Sequence, residues 1–250
     1  MNDFIILSSQ RSGSTFLLSL LSSHNRTDTY GELFQSFGRN HQSSDDFLNS
    51  YTHFRTKYIL NRIISILARR QLINKFLNGI YKDKGHSKST GFKLMYNHIE
   101  WYPEILEYIF KNNIRIIHLI RGNTLKKYIS LLIANKTNIF VSRNPVETKR
   151  ITVPVDNLIS DLRDEEDTVE SFRLRLKDYP LCLEVNYEDL TKDLESVSGK
   201  ILEFLELDTE QKLSAKPVKL NPDTLEKIIE NYDQVRNILK NTKFETYLHN

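Results

Sequence analysis

The chain predicts an α/β fold: a P-loop-like three-layer sandwich with a central, mostly parallel sheet of about five strands, helices on both faces and one helical insertion. Two observations carry this. Short runs rich in Ile, Val, Phe and Leu recur at residues 4–7, 91–95, 114–120 and 181–185, with a weaker stretch at Thr29 and Tyr30, and they read as strands buried on both faces. Helical patterns separate them, and strand–helix alternation builds right-handed βαβ units around a parallel sheet.

Taken in order, the first run leads through Ser8-Ser9-Gln10-Arg11-Ser12-Gly13-Ser14-Thr15 into a helix whose face holds Phe16, Leu17, Leu20 and Leu21. The weak second strand precedes Glu32. Residues 41–88 are largely helical in pattern and rich in base (Arg55, Lys57, Arg62, Arg69, Arg70), an insertion whose basic face is solvated or recruits an anionic acceptor. The run at 91–95 contains Lys93, and Ile99, Tyr102, Leu106 and Ile109 then share a helix face. Trp101, Tyr102 and Tyr108 have the spacing of a packed face, or of a platform for an adenine or sugar. The run at 114–120 ends in Arg121, followed by the helical set Leu125, Tyr128 and Leu132. Residues 136–168, with Pro145, Pro154 and a run of acids, read as a mobile loop beside the site. Val197, Ile201 and Leu205 mark the helix after the last strand. Residues 222–239, with Leu225, Ile228, Ile229, Val235 and Ile238, read as one packed amphipathic helix. No linker or repeat interrupts the 250 residues, so a single domain over 1–250 is expected.

Composition excludes several classes. A formal net charge of +3, from 35 bases and 32 acids interspersed along the chain, argues against a dedicated nucleic-acid binder. Cys182 is the lone cysteine, so neither an intrachain disulfide nor a Cys-based metal site is available, which suits a cytoplasmic protein. The start lacks the pattern of a signal peptide, and no apolar stretch approaches the ~20 residues of a membrane span.

The segment from Ser8 to Thr15 has the makings of a phosphate cradle. Small residues let successive backbone N–H groups converge on one anion, and the following helix adds its positive N-terminal end. Ser14 and Thr15 add hydroxyls, and Arg11 a guanidinium that grips phosphate bidentately. The alternative is an ordinary β–turn–helix with a serine cap. A magnesium-dependent phosphoryl-transfer site would place a lysine before Ser14 and a carboxylate at another strand end. Here no lysine precedes Ser14, and the strand at 114–120 ends in Arg121. Such a site is suited to holding anions without a metal, and no histidine pairs with acids at metal-ligand spacing.

Several of these segments resemble PAPS-dependent sulfotransferases, enzymes that use 3′-phosphoadenosine 5′-phosphosulfate (PAPS) and release the bisphosphate PAP. Gln10-Arg11-Ser12-Gly13-Ser14-Thr15 resembles their 5′-phosphosulfate loop, and Leu119-Ile120-Arg121-Gly122-Asn123-Thr124-Leu125 with Ser130-Leu131 their 3′-phosphate segment. Tyr30-Gly31-Glu32-Leu33-Phe34, Gly91-Phe92-Lys93-Leu94, Tyr187-Glu188-Asp189-Leu190 and Asn231-Tyr232 are similar in kind and order. The likeness is to the bacterial carbohydrate-type branch, acting on trehalose, nodulation factors and related glycans; it does not extend over 41–88 or 136–168. It implies an α/β sulfotransferase domain taking a small-molecule or carbohydrate acceptor, with the donor's anions held by Gln10, Arg11, Ser12, Gly13, Ser14, Thr15, Arg121 and Ser130. One departure stands out. The family usually has an arginine eight residues before the serine that shares the 3′-phosphate, and that place is Gly122. Either Arg121 bends in, or Lys126 or Lys127 contributes, or 3′-phosphate affinity is reduced.

For the chemistry, Glu32 should project from the same sheet edge as the cradle, and the resemblance implies a general base there. A lysine inside an apolar strand needs an anion partner, so Lys93 is expected to meet the sulfonate or its bridging oxygen, unless it lies on an edge strand and reaches solvent. His98 is an alternative base or a simple loop histidine. His118 is expected to be a satisfied core group, and Tyr187 to Asp189 structural, with Asp189 capping the next helix. Three readings stand at this point: a sulfotransferase, a small-molecule kinase with a degenerate P-loop, and a non-catalytic nucleotide-phosphate binding module.

Overall fold

The computed structural model describes residues 2–35, 51, 54, 66–82, 87–138, 150–215 and 224–249. Five strands, β1 (Phe4–Ser8), β2 (Thr27–Glu32), β3 (Ser89–Met95), β4 (Arg115–Ile120) and β5 (Cys182–Asn186), form one sheet in the order β2-β3-β1-β4-β5. Every pairing is parallel. The helices are α1 (Ser14–Ser22), α2 (Ile66–Lys82), α3 (Tyr96–Trp101), α4 (Glu104–Lys111), α5 (Thr124–Thr137), α6 (Leu158–Leu176), α7 (Tyr187–Lys192), α8 (Leu194–Phe204), α9 (Leu225–Ile228) and α10 (Tyr232–Leu239), followed by a 3-10 turn at Glu245–Leu248.

Alternation along the buried strands builds two apolar layers. Ile5, Leu7, Phe92, Leu94 and Ile116 face one way, onto Ile73 and Leu77 of α2 and Ile105 and Ile109 of α4. Phe4, Ile6, Ile117, Leu119 and Val185 face the other, onto Leu17, Leu20 and Leu21 of α1 and Ile201 and Leu202 of α8. Burial this complete contributes about 1.5–3 kcal/mol per large side chain. Gly91 is needed where β3 passes the Phe4 ring, because an added Cβ would lie 2.3 Å from it. The chain leaves β1 toward the α1 layer and β3 toward the α4 layer. Neighbouring strands that lead to opposite layers mark, outside their carboxyl ends, the usual ligand position in open α/β sheets.

Three expectations need correction. First, residues 136–168 are not one loop. Among them Leu158 begins a 19-residue helix, α6, with Leu158, Leu162, Phe172 and Leu176 buried. The acidic run masked that apolar spacing; residues 139–149 lie outside the described residues. Second, the tail is not one helix. Between α9 and α10 the chain extends at Ile229 and bridges Ile151, with Ile151 N–H donating to the Ile228 carbonyl at 2.9 Å and Glu230 N–H to the Ile151 carbonyl at 2.8 Å. Asn231 locks the break, accepting from Val153 N–H and donating to its carbonyl, both at 2.9 Å. Third, Trp101 is 48% exposed rather than packed in the core. Of the insertion expected at 41–88, α2 is described as helical, and its bases pair with α4: Arg69 with Glu104 at 2.6 Å and Arg70 with Glu107 at 2.7 Å. Arg55, Lys57 and Arg62 lie outside the described residues.

Candidate active site

The turn between β1 and α1 adopts left-handed backbone at two positions, Arg11 (φ 63°) and Gly13 (φ 90°). For Gly13 both conformation and space demand glycine, since an added Cβ would lie 2.3 Å from the Tyr187 ring. For Arg11 the conformation costs of order 1–3 kcal/mol, a strain that persists where surrounding structure imposes it, often at ligand sites. Gly13 is the N-cap of α1, no side chain caps the helix, and no acid stands in its first turn. The first N–H groups of α1 therefore lack a side-chain acceptor, which is the electrostatic requirement of an anion cradle. Ser12 and Ser14 are buried, Gln10 is exposed, and the Ser12 and Ser9 hydroxyls share a hydrogen bond at 2.8 Å.

On the β3 side of this turn lies a compact polar cluster. The Lys93 ammonium donates to the Thr15 hydroxyl at 3.0 Å and to Glu32 Oε1 at 2.9 Å. Register explains the meeting: Tyr30 pairs Phe92 and Glu32 pairs Lys93, so Gly31 is the extra residue of a bulge. In a regular strand the side-chain alternation would turn Glu32 to the opposite face from Lys93; the bulge brings both to one face. Lys93 is buried, and its pairing with Glu32 answers the need for an anion partner. His98 belongs to α3, not to a loop. Its Nδ1 accepts from Met95 N–H at 3.3 Å, which leaves the ring proton on Nε2, 4.0 Å from Glu32 Oε2. Burial pushes its pKa down to about 4 against the opposing pull of Glu32, so the ring is neutral at ordinary pH.

On the β4 side the charges are denser. Arg11 Nε donates to the Ser130 hydroxyl at 3.0 Å, and Arg121 donates to the Arg11 carbonyl at 3.1 Å while its guanidinium lies 5.0 Å from the Tyr187 ring. Burial, then the Arg121 charge, press the Arg11 guanidinium below its ordinary value. Burial does the same to Arg121, opposed by Tyr187 and Glu188. Among the described residues, Arg121 Nε is buried without a hydrogen-bond partner. The buried Lys127 ammonium donates to the Ser9 hydroxyl at 2.5 Å and contacts the Glu165 carboxylate of α6. Burial, and next Arg121, push that ammonium down to about 7.

The donor-site and catalytic candidates from the sequence thus lie on the turn (Gln10 to Thr15), toward the carboxyl ends of β2 and β3 (Glu32, Lys93), just after β4 (Arg121), on α3 (His98) and within α5 (Ser130). Sequence reasoning missed others. Tyr187 forms a wall of the turn rather than a remote structural group, and Glu188 accepts from Gly122 N–H at 3.0 Å and Asn123 N–H at 3.1 Å. Asp189 caps no helix with its side chain; Asn186 caps α7 and Asp193 caps α8. Glu165 was hidden within the misread acidic run. His118 is a satisfied core group, its Nε2 2.6 Å from the Tyr96 hydroxyl.

Fold and turn together define an α/β domain with an uncapped helix start at the carboxyl edge of a parallel sheet. A family model described as "Sulfotransferase family" matches residues 3–211, and the chain belongs to that family. Sulfuryl transfer, rather than the phosphoryl transfer of a degenerate kinase, is the chemistry of that class. The sulfotransferase domain of the Synechococcus PCC 7002 olefin synthase shares the fold at 21% identity and a TM-score of 0.50, over 82% of this chain and 74% of that one. A sulfotransferase from Alicyclobacillus acidocaldarius aligns at 15% identity and a TM-score of 0.49, over 98% and 95% of the two chains. Mouse sulfotransferase SULT7A1, solved with PAP, aligns at 15% and 0.46, over 98% of this chain and 66% of its own. No curated protein sequence matches the chain. Among the described residues no cluster of His, Cys, Asp or Glu has the makings of a metal site, and no helix is long and apolar enough to cross a membrane.

Proposed function

We propose that the chain transfers a sulfuryl group from PAPS to a hydroxyl or amine of a small-molecule or carbohydrate acceptor, without a metal, in the manner of the carbohydrate-type branch its motifs resemble. The observation that carries this reading is the contact set Glu32–Lys93–Thr15 at the lip of the β1–α1 turn. It joins a carboxylate and a cradle hydroxyl through one ammonium.

The residues present fit a nucleotide with two separate anionic groups. Ser12, Gly13, Ser14 and Thr15, with the α1 N-terminus, hold the 5′ group, with Gln10 at the exposed rim. Arg11, Arg121 and Ser130 hold the 3′-phosphate, joined by Lys127 in place of the arginine absent at Gly122. The buried Arg121 Nε, without a hydrogen-bond partner among the described residues, supplies a free donor beside them. PAPS supplies the sulfuryl group. Glu32 takes the acceptor's proton as the new bond to sulfur forms. Lys93 donates to the bridging oxygen as charge builds there when the old S–O bond breaks, stabilisation that counts most in a pre-arranged, partly dry site. His98 directs its Nε2–H at Glu32 and acts as a positioning residue, not a base, because its other nitrogen is engaged by the Met95 amide.

Two measurements test the assignment. PAP should raise the melting temperature without magnesium, and incubation with PAPS and a panel of glycans and hydroxylated or amine metabolites should give a product heavier by one sulfuryl group. Stabilisation by ATP with magnesium but not by PAP would remove the donor assignment. PAP binding without transfer to any acceptor would favour a binding module.

A further inference from the structure

We propose that Glu165 of α6 is a counter-ion built into the nucleotide site, which competes with the donor's 3′-phosphate for Lys127 and so sets how strongly the protein favours 3′-phosphorylated nucleotides. The inference rests on the sulfotransferase reading above.

The geometry has four parts. Lys127 is buried, and its ammonium is divided between the Ser9 hydroxyl and the Glu165 carboxylate. Ser9 is hydrogen-bonded to Ser12 of the cradle, so the ammonium reaches the nucleotide turn rather than solvent. Ser130 lies one turn along α5 from Lys127, on the same helix face, and binds Arg11. Arg11, Arg121 and Lys127 thus converge, and the Glu165 carboxylate is in direct contact with Lys127. Cations gathered out of water need anions, and a phosphate dianion offers Lys127 more charge and more acceptor oxygens than the Glu165 carboxylate does.

The exchange needs no helix movement. Independent contacts hold α6: Tyr128 to Asp161 at 3.1 Å, Tyr247 to Glu166 at 2.8 Å, and Arg173 to Glu184 at 2.8 Å through two nitrogens. The Glu165 side chain is 30% exposed and has solvent to swing into. A nucleotide without a 3′-phosphate leaves the Glu165–Lys127 pair in place. One that carries it must break the pair, and loses affinity by that amount.

Calorimetric titration of the full chain with PAP and with adenosine 5′-monophosphate tests this, on the wild type, Glu165→Gln and Lys127→Met. Glutamine keeps the size and removes the charge. The expected result is PAP bound on the order of tenfold tighter by Glu165→Gln, the scale of one charged contact, with the monophosphate unchanged. Lys127→Met should lose more affinity for PAP than for the monophosphate. An unchanged or reduced preference for PAP in Glu165→Gln overturns the inference. Should Lys127→Met not fold, Glu165→Gln decides alone, because its side chain is partly exposed. A wild type with no preference for PAP over the monophosphate sinks the donor assignment and this inference together, whereas a preference that Glu165→Gln leaves untouched sinks only the inference.

Discussion

The two sides of the β1–α1 turn differ in how their charges are settled. On the β3 side, Lys93 and Glu32 form one ion pair, Thr15 accepts a further hydrogen bond, and His98 is neutral. On the β4 side, Arg11, Arg121 and Lys127 converge, with Glu165 against Lys127 and Glu188 spent on the amides of Gly122 and Asn123. A balanced cluster is organised before anything binds, which suits groups that must act on a reacting centre. A cluster of converging cations is stabilised by an incoming anion, which suits binding. Under the proposed function, chemistry belongs to the first side and affinity to the second.

Mutations should separate the two sides. The largest effect is expected from Glu32→Ala: turnover at saturating donor falls by ~100-fold or more, the usual scale for losing a general base, while PAP affinity by calorimetry stays nearly constant. Retained turnover with the best acceptor would remove Glu32 from the mechanism and blur the contrast. Arg121→Met should do the opposite, weakening PAP roughly 10–100-fold, as loss of a charged hydrogen bond does, with kcat at saturating PAPS little changed. A fall in kcat without a change in PAP affinity would place Arg121 on the chemical side. His98→Gln should have the smallest effect: a drop of several-fold in kcat, with KM for PAPS unchanged.

His98 also bears on acid stability. Folded His98 and His118 have pKa values pushed from 6.5 to about 4 by burial. Between these values the unfolded chain binds more protons, so stability rises with pH across that window and is lost as pH falls through it. The melting temperature should therefore drop as pH is lowered from about 6.5 toward 4, and His98→Gln should shallow the slope. An unaltered slope would show that His98 is not the buried neutral ring described above.

Much of this site was legible in the sequence, because it is written locally. Small residues and an arginine between an apolar run and an amphipathic run mark the cradle, and a lysine inside the apolar β3 marks a buried cation. Other features depend on register or distant packing. The bulge at Gly31 decides that Glu32 faces Lys93, and no property of Tyr30-Gly31-Glu32 alone announces it. Lys126 and Lys127 were equal candidates on paper. The turn of α5 buries Lys127 toward Ser9, while Lys126 is half-buried and its backbone N–H goes to the Asn123 cap.

By itself, the sequence determined the strands of the sheet, most of the helices flanking it and the place of the glycine-containing β1–α1 turn, since hydrophobic periodicity and glycine-dependent backbone are properties of neighbouring residues. Only the tertiary structure decided which charges meet. Glu165 reaches Lys127, Tyr187 covers Gly13, and Glu188 takes the amides beside Gly122, each across segments far apart in the chain. The physical reason is that the strength of an ion pair depends on separation and on exclusion of water, and both are set by how the layers pack rather than by spacing along the chain.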